Sequence, residues 1–358
     1  MPGRDNSAHR SATLAEILSQ PETWRQCLNE LQGSGVLEEI LEGTKPRDEW
    51  VFAGCGTSYY LAEAAAAAWT MMTGHRARAL PASELLLFPA LAMRAAENVQ
   101  AVVISRSGRT SEAVRAANLL SQEHRVPTLG ITCAADSPLE KACNRTVRLL
   151  AADEKSMVMT RSFSSMLLAL QCLAGRKSLS IEFAGVIGRL ADHFAECIRP
   201  LAAQVEEFVS KRAFADYVFL GQGPFHALAR EASLKITEMS CSYSQAFHTL
   251  EFRHGPKAIV SPDTCLTFFL SKSGLQAEAE VLAEMHDLGG VTIAICDRAN
   301  ELVRRSSDLV LELGFDGPEL ATLAPFIVPA QLMGFFTGVK KNLNPDEPKN
   351  LSRVVILD

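Results

Sequence analysis

Glu231, Lys235 and Glu238 stand at i, i+4 and i+7 in the stretch PFHALAREASLKITEMS (224–240). On a helix that spacing puts all three on one stripe, bordering the apolar face of Leu228, Ala232, Ile236 and Met239. Arg230, Ser233, Thr237 and Ser240 already supply a solvated side. Carboxyls at the fringe of a buried face lose solvent, which raises their pKa toward values useful for proton transfer. The competing reading is an ordinary Glu/Lys salt-bridge ladder. LEFRHGP (250–256) holds His254, sixteen residues beyond Glu238, in a turn ahead of Gly-Pro, available as an acid or base near neutral pH. A lone histidine is commonly structural, but its closeness in sequence to the Glu238 stripe supports a paired role.

Two other stretches are built to receive an anion. GCGTS (54–58) follows an apolar run and opens a helical one, where backbone N–H groups and the helix dipole favour negative charge. A dinucleotide fingerprint is incomplete here, because the third glycine of GxGxxG falls on Tyr59, and in the similar GQGPFH (221–226) on His226. A single small phosphate is the sharper reading, taken by the amides of Cys55 and Gly56 and the hydroxyls of Thr57 and Ser58. A plain capped turn is the bland one. SRSGRTS (105–111) leaves the run QAVVI and precedes EAVRAANLLSQ. Ser105, Ser107 and Thr110 can donate to phosphate oxygens, and Gly108 permits a tight turn. Arg106 and Arg109 are either phosphate contacts or solvated surface charge.

The elements that must position these residues show as short apolar runs alternating with helical patterns. WVFAG (50–54), QAVVI (100–104), PTLGIT (127–132) and TVRLL (146–150) are followed by YVFLG (217–221), CLTFFL (265–270), VTIAIC (291–296) and DLVLEL (308–313). Runs apolar on nearly every residue imply strands covered on both faces, hence parallel sheets with helical crossovers. VFAGCG (51–56) matches VFLGQG (218–223) and ISRSG (104–108) matches LSKSG (270–274), so a tandem repeat of one α/β module is expected. TLAEILSQ (13–20) and PETWRQCLNELQ (21–32) read as a leading helical arm, and about 165–212 as long helices. The expected domains are an arm at 1–46, a first module at 47–200, a second at 201–341, and a tail at 342–358 laid against the body.

Composition narrows the function. With 47% hydrophobic and 21% charged residues in 358, the chain reads as globular, and its net charge of −6 argues against a broad nucleic-acid surface. Nine cysteines without a CxxC suit reduced thiols in a cytoplasm, so neither a disulfide framework nor a metal is expected. Met1–Arg10 is polar, reads as frayed, and is no leader, while AEAAAAAWTMM (62–72) is too short to span a bilayer and reads as a buried helix. No membrane partner is expected.

Together these residues resemble the sugar isomerase (SIS) superfamily, and within it the isomerase half of glucosamine-6-phosphate synthase. The resemblance runs through AEILSQP, GCGTSYY, SRSGRTSEAV, EKSMVMTRSF (154–163), EASLKITEMS, LEFRHGP and PKNLSRVVILD. It implies two tandem SIS modules, each a three-layer, flavodoxin-like αβα sandwich, paired as a homodimer, with a sugar phosphate as ligand and no cofactor. It also implies phosphate binding by Ser58, Ser105, Arg106 (a glutamine in the synthase), Ser107 and Thr110, and a sugar site lined by the backbone of Met157. Glu238 matches the base that moves a proton between C1 and C2 of the open-chain sugar, with Lys235 and Glu231 as positioning partners. His254 matches a ring-opening histidine contributed across the dimer interface.

Two departures bear on the reaction. The chain starts almost at the arm, without the synthase's glutaminase domain, so it is not expected to draw ammonia from glutamine. The synthase's Schiff-base lysine falls on Arg353, and a guanidinium cannot serve as that amine. Arg353 is a candidate substrate contact instead, and Lys349 a weak substitute amine. The expected activity is therefore deamination of an amino-sugar phosphate, glucosamine 6-phosphate to fructose 6-phosphate and ammonia. A fructosamine-phosphate deglycase, a simple aldose-ketose isomerase and a non-catalytic phosphosugar sensor are the alternatives. The sensor reading is weakened by the lack of a basic helical domain before the first strand.

Overall fold

A computed structural model describes residues 11–42, 49–92 and 99–357, with 91 and 92 by backbone alone. The frayed start expected at Met1–Arg10 and the arm boundary expected at 46 lie outside the described residues. Among those described, ten strands form two five-stranded sheets, and every pairing is parallel. The first contains β1 (Glu49–Gly54), β2 (Ala77–Pro81), β3 (Val99–Ile104), β4 (Thr128–Thr132) and β5 (Arg145–Arg148), in the order β2-β1-β3-β4-β5. The second contains β6 (Asp216–Gly221), β7 (Ser244–His248), β8 (Thr264–Phe269), β9 (Val291–Cys296) and β10 (Leu309–Glu312), in the order β7-β6-β8-β9-β10. Both therefore follow the doubly wound order 2-1-3-4-5, whose reversal point lies beside the first strand.

Eight strands coincide with the eight apolar runs. The other two, β2 (ARALP) and β7 (SQAFH), are edge strands, paired on one side and largely half-buried, and unlike the opposite edges β5 and β10 they carry no apolar run. The central strands β4 and β8, by contrast, are buried at every residue, with threonines the only polar side chains among them.

The chain divides into two compact units, described separately. One consists of residues 22–154, 161–188 and 352–358 and carries the first sheet. One face of that sheet packs Ala101 and Val103 with Leu85, Ala117, Leu120 and Leu139. Trp50 packs against Trp69 of the helix Thr57–Thr73, ring centroids 4.0 Å apart and planes tilted by 34°. That helix holds the alanine run, and its small side chains let it lie close between the sheet and the helix Arg161–Ser178.

The other unit consists of residues 1–21, 155–160 and 189–351 and carries the second sheet. Val218, Leu220, Leu266, Phe268 and Leu282 form part of its core. The helix Pro224–Ser240, which bears the Glu/Lys stripe, packs on the helix Val328–Lys340. Two glycines set the approach. A Cβ at Gly334 would meet the Lys235 carbonyl oxygen at 2.9 Å, and one at Gly338 would meet that of Met239 at 2.2 Å. The stretch Leu323–Lys340 is long and apolar enough to cross a membrane by composition, yet 83% of it is buried here as the partner of the stripe-bearing helix.

Because Met239 offers backbone at Gly338, not a movable side-chain tip, Gly338→Ala should lose about 1–3 kcal/mol of stability. Gly188→Ala, with nothing within 4 Å, should be neutral or up to about 1 kcal/mol more stable. Urea unfolding of both variants checks the packing; equal stabilities would contradict it.

Candidate active site

In the unit of the second sheet, Glu231 and Lys235 have side chains that are wholly buried and Glu238 one that is 17% exposed. Lys235 Nζ lies 3.3 Å from Glu231 Oε1 and donates a hydrogen bond to Glu238 Oε2. A surface ladder would leave all three in water, so burial rejects that alternative. Burial pulls the lysine's pKa down, but the two carboxylates outweigh it and hold the ammonium above its ordinary value. The result is a fixed cation flanked by two carboxylates.

Glu238 borders a cavity of about 200 Å³ shared with Cys241, Asn344, Glu347 and Lys349. The helix ends there with Cys241 at φ 50°, in the left-handed region. Lys341 secures that end, its Nζ donating to the Ser240 carbonyl at 3.3 Å and to Ser242 Oγ at 2.6 Å, a cation where the helix dipole favours one.

Met157 donates its N–H to the Asp346 carbonyl at 3.5 Å. Its segment is anchored by Glu16, a buried carboxylate that accepts from the N–H groups of Lys155 (2.5 Å) and Ser156 (3.3 Å) and from the Ser156 hydroxyl. Asp346 is held in turn by Ser11 Oγ (2.6 Å) and the N–H groups of Ala12 and Thr13. Burial works against its charge, but these bonds keep its carboxyl below the usual range.

His254 is exposed and closes the short turn Glu251–Arg253, its N–H on the Glu251 carbonyl at 2.9 Å. Arg253 and Lys257 on either side both bind Glu284, at 2.6 and 2.7 Å, which pins the turn. No bond joins His254 to Glu238 among the described residues, so the expected pairing is not made within this chain. A different histidine pair is made: His226 and His248 stack with centroids 3.7 Å apart. Burial first, then His248 and Arg230, push His226 down to about 4.

In the unit of the first sheet, both anion-loop candidates leave the carboxyl ends of neighbouring strands, β1 and β3. This is the reversal point of the strand order, where open α/β sheets bind ligands. Gly56 takes φ 54°, and Ser58 and Tyr59 donate their N–H groups to the carbonyls of Cys55 and Gly56. Thr57 and Ser58 are buried at the helix start.

In the second loop, Ser105 Oγ donates to Thr110 Oγ1 at 3.2 Å, and Ser107 Oγ accepts from the Arg109 N–H at 3.2 Å. Gly108 combines φ 59° with a place where a Cβ would meet Ser137 Oγ at 2.3 Å, so no side chain fits. No carboxylate is bonded to any of these three hydroxyls among the described residues.

The two arginines separate. Arg109 is exposed, whereas Arg106 is buried, 3.2 Å from Glu154 Oε2 and 3.0 Å from the Arg353 carbonyl. Arg106 is thus no solvated surface charge; its guanidinium is committed to Glu154 behind the loop. Arg353 itself is exposed and pairs with Asp153 at 2.7 Å. The tail's Val355 carbonyl accepts from the Ser111 N–H at 3.2 Å, at the start of the next helix.

The structure therefore gathers Glu231, Lys235 and Glu238 in one unit, and Cys55–Ser58 with Ser105–Thr110 in the other. Glu16, Glu154 and Lys341 are positioning residues that the sequence reading did not single out. Glu154 opens EKSMVMTRSF and Glu16 lies in AEILSQP, both stretches noted above; Glu154 takes the nearby Ser162 N–H (3.2 Å) and hydroxyl, but its ion-pair partner Arg106 and the Lys155–Ser156 segment that Glu16 holds are distant in sequence.

These features define a two-module α/β protein whose candidate anion loops sit at the carboxyl ends of parallel strands. The chain belongs to the SIS domain family, which matches residues 45–176 and 216–333. It is 28% identical over 97% of its length to a Streptomyces coelicolor protein provisionally named a D-galactosamine-6-phosphate deaminase, covering 93% of that protein. It is 25% identical to the glutamine–fructose-6-phosphate aminotransferase (isomerizing) of Methanothermobacter thermautotrophicus, with 96% of this chain spanning 57% of that enzyme. Among solved structures, glucosamine-6-phosphate deaminase from Thermotoga maritima superposes with a TM-score of 0.77 and 29% identity, covering 97% of this chain and all of that one. Its relatives are thus phosphosugar isomerases and deaminases.

Lys235→Met should destabilise the protein by about 3–5 kcal/mol, because it removes the counter-ion of the wholly buried Glu231 and of Glu238. A loss below about 1 kcal/mol in urea unfolding would show that the pair is not buried as described. His226 makes a second prediction. Its folded pKa lies below the unfolded value, so the stability it contributes is full above about pH 6.5 and is lost as pH falls toward 4. His226→Gln should flatten stability over that window; an unchanged pH profile would contradict the shift.

Proposed function

We propose that this protein deaminates an amino-sugar phosphate, with glucosamine 6-phosphate as the leading substrate. The observation that carries the reading is the buried Lys235 ammonium holding Glu238 at the edge of a cavity. An aldose-ketose shift needs one carboxylate to take the C2 proton and return it to C1, with polar groups stabilising the enediol-like intermediate. In the amino sugar the shift leaves a C2 imine, which water hydrolyses to a ketose phosphate and ammonia. Glu238 is the base, Lys235 its positioning partner, and Glu231 the counter-charge that keeps Lys235 protonated.

The phosphate is assigned to Ser58, Ser105, Ser107 and Thr110 with the amides of Cys55, Gly56 and Thr57. The support is a loop of hydroxyls with no acidic partner among the described residues, at a strand-order reversal. Arg106 in this reading steadies the loop through Glu154, and Met157 supplies a backbone contact to the sugar. His254 opens the ring; its exposure suits a residue offered to a second copy in a homodimer. Arg353 contacts substrate as a cation, since it cannot form an imine.

Two full-length similarities, to the Thermotoga deaminase and to the Streptomyces protein, favour ammonia release over simple isomerisation. The isomerizing relative keeps the isomerase reading as the second one.

Ammonia and fructose 6-phosphate release from glucosamine 6-phosphate tests the proposal directly. Glu238→Gln should lower kcat by roughly 10²- to 10⁴-fold while substrate still binds. Ketose formation without ammonia from a neutral sugar phosphate would select the isomerase. Tight binding with no turnover on amino-sugar or fructosamine phosphates would select a sensor. Ser105→Ala with Ser107→Ala should weaken phosphate binding at least tenfold, and unchanged binding would remove the loop from the reading.

A further inference from the structure

The loop Ser271–Gly274 (SKSG) is the second module's counterpart of Ser105–Gly108 (SRSG), each following the third strand of its sheet and opening a helix. The two loops differ in what their donors meet. In the first, the hydroxyls of Ser105, Ser107 and Thr110 bond to one another or to a neighbouring amide. In the second, carboxylates take the donors. Lys272 N–H (2.7 Å) and Ser273 N–H (3.3 Å) both donate to Glu319 Oε2, and Ser273 Oγ donates to Glu319 Oε1. Ser271 donates from N–H (2.7 Å) and Oγ (2.9 Å) to the two oxygens of Glu278. Glu278 is buried, and burial pushes it up to about 7 despite those bonds.

The cation follows the same division. Lys272 Nζ lies 3.0 Å from buried Asp297 Oδ2 and donates to the carbonyls of Phe315 (3.1 Å) and Gly317 (2.8 Å), on the segment that leads to Glu319. Two consecutive amides and a hydroxyl ahead of the thirteen-residue helix Leu275–Asp287 make a cradle for an oxyanion, with the Lys272 ammonium held to one side by Asp297. A carboxylate from forty-six residues away already lies in it.

We propose that Ser271–Gly274 is a second phosphate cradle occupied by the protein's own Glu319, which limits each chain to a single phosphate site. Glu319 is in this account the residue that decides which of two similar loops receives a phosphomonoester. Removing its carboxylate frees the Lys272 and Ser273 amides and the Ser273 hydroxyl, and lowers the negative charge around Lys272. The inference goes beyond the proposed reaction and depends on it only for the comparison between loops.

The test is the stoichiometry of inorganic phosphate binding to the full chain at pH 7.5, by calorimetry and phosphorus NMR. The wild type should bind one phosphate per chain, Glu319→Ala two, and Glu319→Ala with Ser273→Ala one. Ser105→Ala with Ser107→Ala in the Glu319→Ala background should keep the gained site and lose the original. Glu319→Ala leaves intact the backbone carbonyl that Thr322 uses, so the local turn is retained.

If Glu319→Ala does not fold, Glu319→Gln with amide hydrogen exchange replaces it. Lys272 and Ser273 should then exchange at least tenfold faster than in the wild type, and phosphate should slow them again. A folded Glu319→Ala that still binds one phosphate, or Glu319→Gln amides indifferent to phosphate, overturns the proposal. A wild type that binds none while Glu319→Ala binds one leaves this inference standing and removes the phosphate site of the first loop.

Discussion

The structure of the candidate site depends on a buried ammonium. Lys235 has no access to water, so it remains charged only because Glu231 and Glu238 lie on either side of it along one helix. Two carboxylates around one cation leave a net negative charge at the end that opens on the cavity. That is the state a general base requires before it accepts a proton. Such a pair contributes little net stability, since desolvation offsets most of the attraction. Its value lies in geometry: each partner fixes the other's rotamer, and Gly334 and Gly338 bring the neighbouring helix against the backbone beneath them.

The sequence showed much of this. Eight apolar runs located eight strands, and the echoes VFAGCG/VFLGQG and ISRSG/LSKSG corresponded to equivalent turns in two sheets of one strand order. The stripe Glu231–Lys235–Glu238 was readable because helical spacing alone decides which face a residue shares. β2 and β7 were not readable, since an edge strand half-covered by protein needs no continuous apolar run, and these two, unlike the edges β5 and β10, carry none. The roles of Glu16, Glu154 and Lys341 were hidden for another reason. Each binds groups distant in sequence, or in Lys341's case a helix end a hundred residues before it, and no local pattern records such pairings.

Arg106 shows how burial changes a reading. From its loop it looked like either a phosphate ligand or a surface charge; burial against Glu154 removes the second reading and shows an ion pair that no local pattern recorded. The comparison of the two SxSG loops turns on the same principle. Similar backbone turns present similar donors, and the acids that the rest of each module sends toward them decide whether those donors remain available. In the first loop no carboxylate among the described residues takes the three hydroxyls; in the second, Glu278 and Glu319 take the two serine hydroxyls. A phosphate-binding reading therefore follows from the vacancy of acceptors as much as from the loop's own residues.

The central claim is that Glu238, held by Lys235, moves a proton at C2 of a bound amino-sugar phosphate. Proton NMR of glucosamine 6-phosphate in deuterated buffer follows that step without relying on later hydrolysis. The account predicts that the wild type exchanges or transfers the C2 proton and that Glu238→Gln does neither while still binding the substrate. Loss of the C2 proton at the wild-type rate in Glu238→Gln would contradict it.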